Sequence, residues 1–279
     1  MNKTKKKGGK APLIIAMVAV LGFGAAFAYY AYDYYLWWRD GQLAQENSDM
    51  MADIFQGQIN EISSLISAPS ASEDETVSVV FSSSMLDEAR VLTNNPDIVA
   101  YIYIEGTNIN NVVLQGQDNG FYLYRDMFRN PNVNGALFVD YRNTPNFDDP
   151  NTVIYGHNMR NGTMFHDLRY FTSQEFAEQH SHINVITDDR VLIYEIFSVF
   201  TTRVDFDYIQ VHFDSQDEFA DLLNEIHRRR FFNMAATATA EDNILVLSTC
   251  TNVDDDMRIV VTGKLVQIIE IENETERGE

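Results

Sequence analysis

The chain has 279 residues, 45% of them hydrophobic, with 20 basic and 41 acidic side chains and a single cysteine. That length and apolar content support a real core in one large or two small domains, which excludes a disordered chain. A lone cysteine has no intramolecular disulfide partner, so the fold must be held by packing.

The charge is unevenly distributed. Residues 1–39 hold six basic groups and one acidic group, which leaves 14 basic against 40 acidic in the remainder, a net −26, with Lys264 its only lysine. Such a surface repels nucleic acid and anionic headgroups and favours neutral or polycationic partners, and it equally serves to keep an exported domain soluble.

Lys3, Lys5, Lys6, Lys7 and Lys10 precede an uncharged stretch from Ala11 to Tyr32. As a helix these 22 residues are about 33 Å long, enough for a hydrocarbon core of about 30 Å. The lysines place the N-terminus in the cytoplasm and the chain beyond residue 40 outside. Tyr29, Tyr30, Tyr32, Tyr34, Tyr35, Trp37 and Trp38 form an aromatic collar where the helix leaves the bilayer. Ala26-Phe27-Ala28 has the small-x-small form of a cleavage site, so a removed signal peptide is the competing reading. It ranks second, because the apolar stretch exceeds the usual ~7–15 residues and a discarded segment has little use for a collar.

From Gln42 to Ile66, Met50, Met51, Ile54, Phe55, Ile59, Ile62 and Leu65 recur at helical intervals and predict an amphipathic helix. Ser67 to Thr76 reads as a loop, and Met85 to Thr93 as a short helix ended by Asn94-Asn95-Pro96. Short β-rich runs follow at Val99–Ile104, Asn111–Gln115, Ala136–Asp140, Thr152–Tyr155, His182–Thr187, Val191–Phe200, Tyr208–Phe213, Ile244–Ser248 and Arg258–Ile268. Strands at this spacing suggest a closed barrel. Two helices interrupt them, each with capping-box form: Thr172-Ser173-Gln174-Glu175, and Ser215-Gln216-Asp217-Glu218 leading into Phe219, Leu222, Leu223 and Ile226.

The chemistry gathers around Cys250, which ends the apolar run Ile244-Leu245-Val246-Leu247-Ser248-Thr249-Cys250. A cysteine in that position is by itself most simply a small buried hydrophobe. With two further residues it can instead make an acyl-transfer site. A thiol attacks as thiolate and needs an imidazole or cation nearby, and a tetrahedral intermediate needs a donor for its oxyanion. His157, in Tyr155-Gly156-His157-Asn158 at the end of a strand, and Arg258 supply those roles. Histidine comes 93 residues before cysteine, opposite to the papain-like order and too far for a caspase-like pair. His166, His180, His182, His212 and His227 show no metal-ligand spacing and read as surface or core residues, so no metal is expected.

The segments Leu247-Ser248-Thr249-Cys250, Met257-Arg258-Ile259-Val260-Val261 and Thr152 to Met159 resemble the signature regions of class B sortases. The likeness extends to Asn95–Ile102, Gln117–Leu123 and Phe138–Asn143, and so covers roughly residues 90–268. Val246 departs from the threonine often found there in the family, at a strand position of little consequence. The resemblance implies a mainly β fold with added α: an eight-stranded sortase-type β-barrel with N-terminal helices and a helix between the late strands, preceded by one transmembrane helix.

It further implies a membrane-anchored cysteine transpeptidase without cofactor. Cys250 would attack a Thr-Gly-type bond in the C-terminal sorting signal of a secreted protein, His157 would serve as acid and base, and Arg258 would hold the oxyanion. The thioester would pass to an amine of a peptidoglycan precursor. Asn119, Leu123, Tyr208 and Ser248 match substrate-contacting positions of the family, beside which stand the plainer readings of local hydrogen bonding, core packing and a half-buried strand aromatic.

The expected organisation is a cytoplasmic basic segment at 1–10, a signal anchor at 11–32, collar, helix and linker at 33–90, the catalytic barrel at 91–270 and an acidic tail at 271–279. The expected location is the cell membrane, single-pass, with the catalytic domain outside. A pilin-polymerising sortase is the rival enzyme, but the only Asp-Pro candidate for its lid, Asp148-Asp149-Pro150-Asn151, is misplaced and lacks the aromatic. A catalytically inactive peptide-binding barrel is the rival from another class, and has no use for the nucleophile.

Overall fold

The structure, a computed structural model, describes residues 11–66, 78–81, 85–250 and 256–273. Helix α1 runs unbroken over Ala11–Ile66, 56 residues and about 84 Å. The uncharged stretch and the amphipathic helix, which the sequence separates by a run of aromatic residues, are therefore one rod. Its first half is exposed and is long and apolar enough to cross a membrane. Its second half lies on the domain. Met51, Phe55 and Ile62 are fully buried, and the Phe55 ring stacks on Tyr101 at 3.8 Å.

Among the described residues nine strands make one sheet: β1 (Ser78–Phe81), β2 (Ile98–Tyr103), β3 (Asn110–Leu114), β4 (Leu137–Val139), β5 (Asn151–Tyr155), β6 (His182–Ile186), β7 (Arg190–Arg203), β8 (Ile244–Cys250) and β9 (Met257–Asn273). The order β9-β7-β6-β2-β3-β4-β5-β8 closes because β8 pairs back onto β9, giving an eight-stranded barrel. β1 adds in parallel to the far end of β9.

Strands such as β7 read as continuous apolar runs because both faces are covered. Leu192, Tyr194 and Ile196 fill the barrel with Ile102, Ile154, Leu247 and Val261. Val191 and Ile193 pack outward under α1 and α2 (Met85–Thr93). A register shift between Ile196 and Ser198 reverses the alternation, so that Val199 points in while Phe197 and Phe200 meet the outer helix α4 (Gln216–Arg229).

Helix α4 is capped at Ser215, whose hydroxyl accepts from Glu218 N at 3.2 Å. The reciprocal arm of the box reaches one residue further back, from Glu218 to Asp214 N. Phe219, Leu222, Leu223 and Ile226 are its buried stripe.

Two expectations fail. The box at Thr172 caps nothing: 166–172 is a 3-10 helix, and α3 (Gln174–Gln179) starts from Ser173 without a side-chain cap. The run Tyr208–Phe213 is not a strand. Its carbonyls are taken by side chains, the Asn151 amide donating to Tyr208 O at 3.1 Å and Gln210 O at 2.8 Å, while β5, the neighbour it would need, already pairs with β4 and β8.

Candidate active site

The ends of β5, β8 and β9 and the irregular segment 204–209 enclose a groove of about 400 Å³. Asn119, Leu123, His157, Tyr208, Ser248 and Arg258, six of the seven residues singled out in the sequence, all line it. The seventh, Cys250, is the last residue of β8; its side chain lies outside the described residues. Its backbone is placed. Cys250 is two positions past Ser248 and is the direct ladder partner of Arg258.

Local structure explains how His157 is presented. β5 pairs in parallel with β8, Tyr155 opposite Ser248, and Gly156 N continues the pairing by donating to Ser248 O at 3.2 Å. A side chain at Gly156 would meet Leu137 Cδ2 at 2.3 Å and Phe165 Cδ2 at 2.8 Å, so any larger residue would force these buried side chains to shift. The next residue is His157, which leaves the sheet with its carbonyl held by Phe165 N at 2.9 Å.

The His157 ring is half-buried and its Nε2 lies 2.7 Å from Leu123 O. A carbonyl only accepts, so Nε2 carries the proton and Nδ1 is the nitrogen left for chemistry. Burial pushes the imidazole pKa below its ordinary value and outweighs the opposing pull of the Leu123 carbonyl. The free site therefore favours neutral imidazole.

Arg258 is half-buried between Thr202 of β7 and Cys250 of β8, its direct partners on either side, and donates to Met257 O at 3.2 Å. Tyr208 is buried against Phe200 and Phe206, with its hydroxyl 2.7 Å from Ser248 Oγ. Asn119 has both ends of its amide engaged: Nδ2 donates to Asp140 at 2.9 Å, and Oδ1 accepts from Tyr141 N at 3.0 Å. Leu123 lines the groove and gives its carbonyl to His157.

The sequence reading passed over Asp140 and Arg142, which stand behind this wall. Asp140 is fully buried and accepts Arg142 Nε and Nη2, both at 2.8 Å. Burial raises its pKa, but the Arg142 guanidinium, the Arg142 amide, Tyr155 and Asn119 outweigh that and hold it below the usual carboxylate value. An acid and a base two residues apart just past a strand were the available signal. Among the described residues no group of three or more His, Cys, Asp or Glu side chains could hold a metal. The segment Asp148 to Asn151 turns into β5, with Asp148 bound to Arg190 and Asp149 to Thr144, and contributes nothing to the groove.

A sortase-domain family profile matches residues 102–266. The chain is 38% identical to sortase B of Listeria monocytogenes over 186 residues, covering 64% of this chain and 74% of that protein. It is 33% identical to sortase B of Staphylococcus aureus over 176 residues, covering 62% and 72%. Among solved structures it is similar to a Staphylococcus aureus sortase B–substrate complex, with a TM-score of 0.68 and 28% identity over 81% of this chain and 97% of that one.

Proposed function

Because the chain belongs to the sortases, and within them to the class B cysteine transpeptidases, we propose that it cleaves a C-terminal sorting signal at a Thr-Gly-type bond and transfers the acyl group to an amine of a peptidoglycan precursor. The observation that carries this reading is the convergence of His157, Arg258, Tyr208 and Ser248 on one groove at the end of the strand that delivers Cys250.

In this scheme the Cys250 thiolate adds to the scissile carbonyl, and the tetrahedral oxyanion is held by the Arg258 guanidinium, which stays charged throughout. His157, already donating from Nε2 to Leu123 O, works through Nδ1. Nδ1 takes the thiol proton, gives it to the departing glycine amine, and later takes one from the incoming amine. The neutral imidazole favoured by burial is the form that can accept the first proton. Ser248 and Tyr208, coupled through their hydroxyls, line the groove beside the acyl group, and Leu123 supplies an apolar wall.

The first half of α1 anchors the enzyme from residues 11–32, with residues 1–10 in the cytoplasm and the barrel outside. This keeps it beside a secreted substrate still in transit and a lipid-linked acceptor. Incubating the full chain in detergent with short sorting peptides tests the scheme. Mass spectrometry should trap a peptide thioester on Cys250, and Cys250→Ala should abolish cleavage; full activity in that variant would refute it.

A further inference from the structure

One wall of the groove, the 204–209 segment, is irregular backbone and not a strand, although it supplies Val204, Phe206, Asp207, Tyr208 and Ile209 to the site. Irregular backbone keeps one shape only if its polar groups are satisfied by something fixed. One fixed point is backbone, Val204 N donating to Asp256 O at 3.1 Å; the others described are side chains. Asn151 takes Tyr208 O and Gln210 O, and Arg142 Nη2 takes Ile209 O at 2.9 Å.

Arg142 is itself held by Asp140, which has no exposed surface. Oδ1 of Asp140 accepts Arg142 N at 3.0 Å and Nε at 2.8 Å. Oδ2 accepts Arg142 Nη2 at 2.8 Å, Asn119 Nδ2 at 2.9 Å and the Tyr155 hydroxyl at 2.9 Å. A planar guanidinium can fork onto one carboxylate and still point an N–H at a carbonyl, which an ammonium cannot do with the same geometry. Neither Asp140 nor Arg142 lines the groove, yet Asn119, Tyr155 and Ile209, on three different segments, all do.

We propose that Asp140 and Arg142 are a positioning pair for peptide recognition: from one buried carboxylate they fix the relative places of Asn119, Tyr155 and the 204–209 wall. The proposal deepens the sortase reading and rests on it for the peptide. It assigns Asn119 a role through Asp140, since its amide is already engaged at both ends. The pair touches neither His157 nor Arg258 among the described contacts, so its loss should act on peptide binding and leave the chemical step alone.

The test compares Arg142→Gln, Arg142→Lys and the parent as full chains in detergent. Arg142→Gln should raise KM for a sorting peptide roughly tenfold, the scale of one lost charge-assisted contact network. Its kcat and the rate of Cys250 alkylation by iodoacetamide should hold near parent values, and Arg142→Lys should fall between. Hydrogen exchange supplies a readout independent of activity: amides in 204–210 should exchange faster in Arg142→Gln while those of β2 and β3 do not change. Unchanged exchange in 204–210 would overturn the proposal, as would a fall in kcat at constant KM. A parent enzyme that cleaves no peptide would instead count against the sortase scheme, leaving exchange to decide this one. If Arg142→Gln does not fold, Tyr155→Phe removes one arm of the same hub and keeps the ring against Phe138; it should raise KM by a smaller factor, and an unchanged KM would sink the idea.

Discussion

Cys250 and Arg258 face each other directly across the β8–β9 ladder. Paired residues of an antiparallel ladder stand about 4.5–5.5 Å apart at Cα, so the register of β8 on β9 sets the backbone spacing between Arg258 and Cys250, the proposed nucleophile. Replacing Arg258 with Lys keeps the charge but loses the planar two-pronged donor. Turnover should fall more than tenfold, more than ~1.4 kcal/mol of transition-state stabilisation, in single-turnover peptide cleavage. Near-parent turnover would move the oxyanion role to another donor.

The approach to His157 depends on a missing side chain. A Cβ on Gly156 would sit 2.3 Å from Leu137 Cδ2 and 2.8 Å from Phe165 Cδ2, both in the barrel core. Gly156→Ala should therefore cost about 1–3 kcal/mol in denaturant unfolding and also lower activity by displacing the next residue. Trimming the nearest neighbour in a Gly156→Ala/Leu137→Val double variant should recover part of both losses. Strictly additive losses would show that the close approach is not what matters.

How much of this was legible in the sequence depended on range. Helix α2 falls at Met85–Thr93 as its periodicity predicts, and α4 buries the very stripe Phe219, Leu222, Leu223 and Ile226. Both are decided by local spacing and caps. The failure at 208–213 came from long range: its apolar composition suits a strand, but Asn151 and Arg142, distant in sequence, take its carbonyls. The site divides the same way. His157, Ser248, Cys250 and Arg258 stand in short motifs, whereas the Asp140 hub draws on residues 119, 142, 155 and 209, and no local pattern gathers those.

Burial of the His157 ring has a consequence for pH. Its folded-state pKa is depressed below the ordinary 6.5, so the unfolded chain binds this proton more readily than the folded one. The contribution to stability is fully present above about pH 6.5 and is lost as pH falls from there through the folded value. His157→Gln can still donate to Leu123 O but does not titrate. Thermal unfolding followed between about pH 7.5 and 5 should show a smaller acid-side decline in that variant than in the parent. Parallel curves would mean that His157 is not the group responsible.

The sequence left a cleaved signal as the competitor to a retained anchor, on the strength of Ala26-Phe27-Ala28. Helix α1 runs through that triplet without a break and continues to Ile66. Immediately past the aromatic collar it is fastened to the domain: Asp40 accepts from Asn132 and Val133, Ala44 enters the barrel core, and Gly41 lies so near Asn161 that a Cβ would come within 2.7 Å of its amide. A retained span would thus be rigidly joined to the catalytic domain, holding the groove at a set height above the bilayer. N-terminal sequencing of the protein from membranes should return a chain that keeps residues 11–32, and carbonate washing should not release it. A mature chain beginning at Tyr29 in the soluble fraction would establish cleavage and remove the anchor from the scheme.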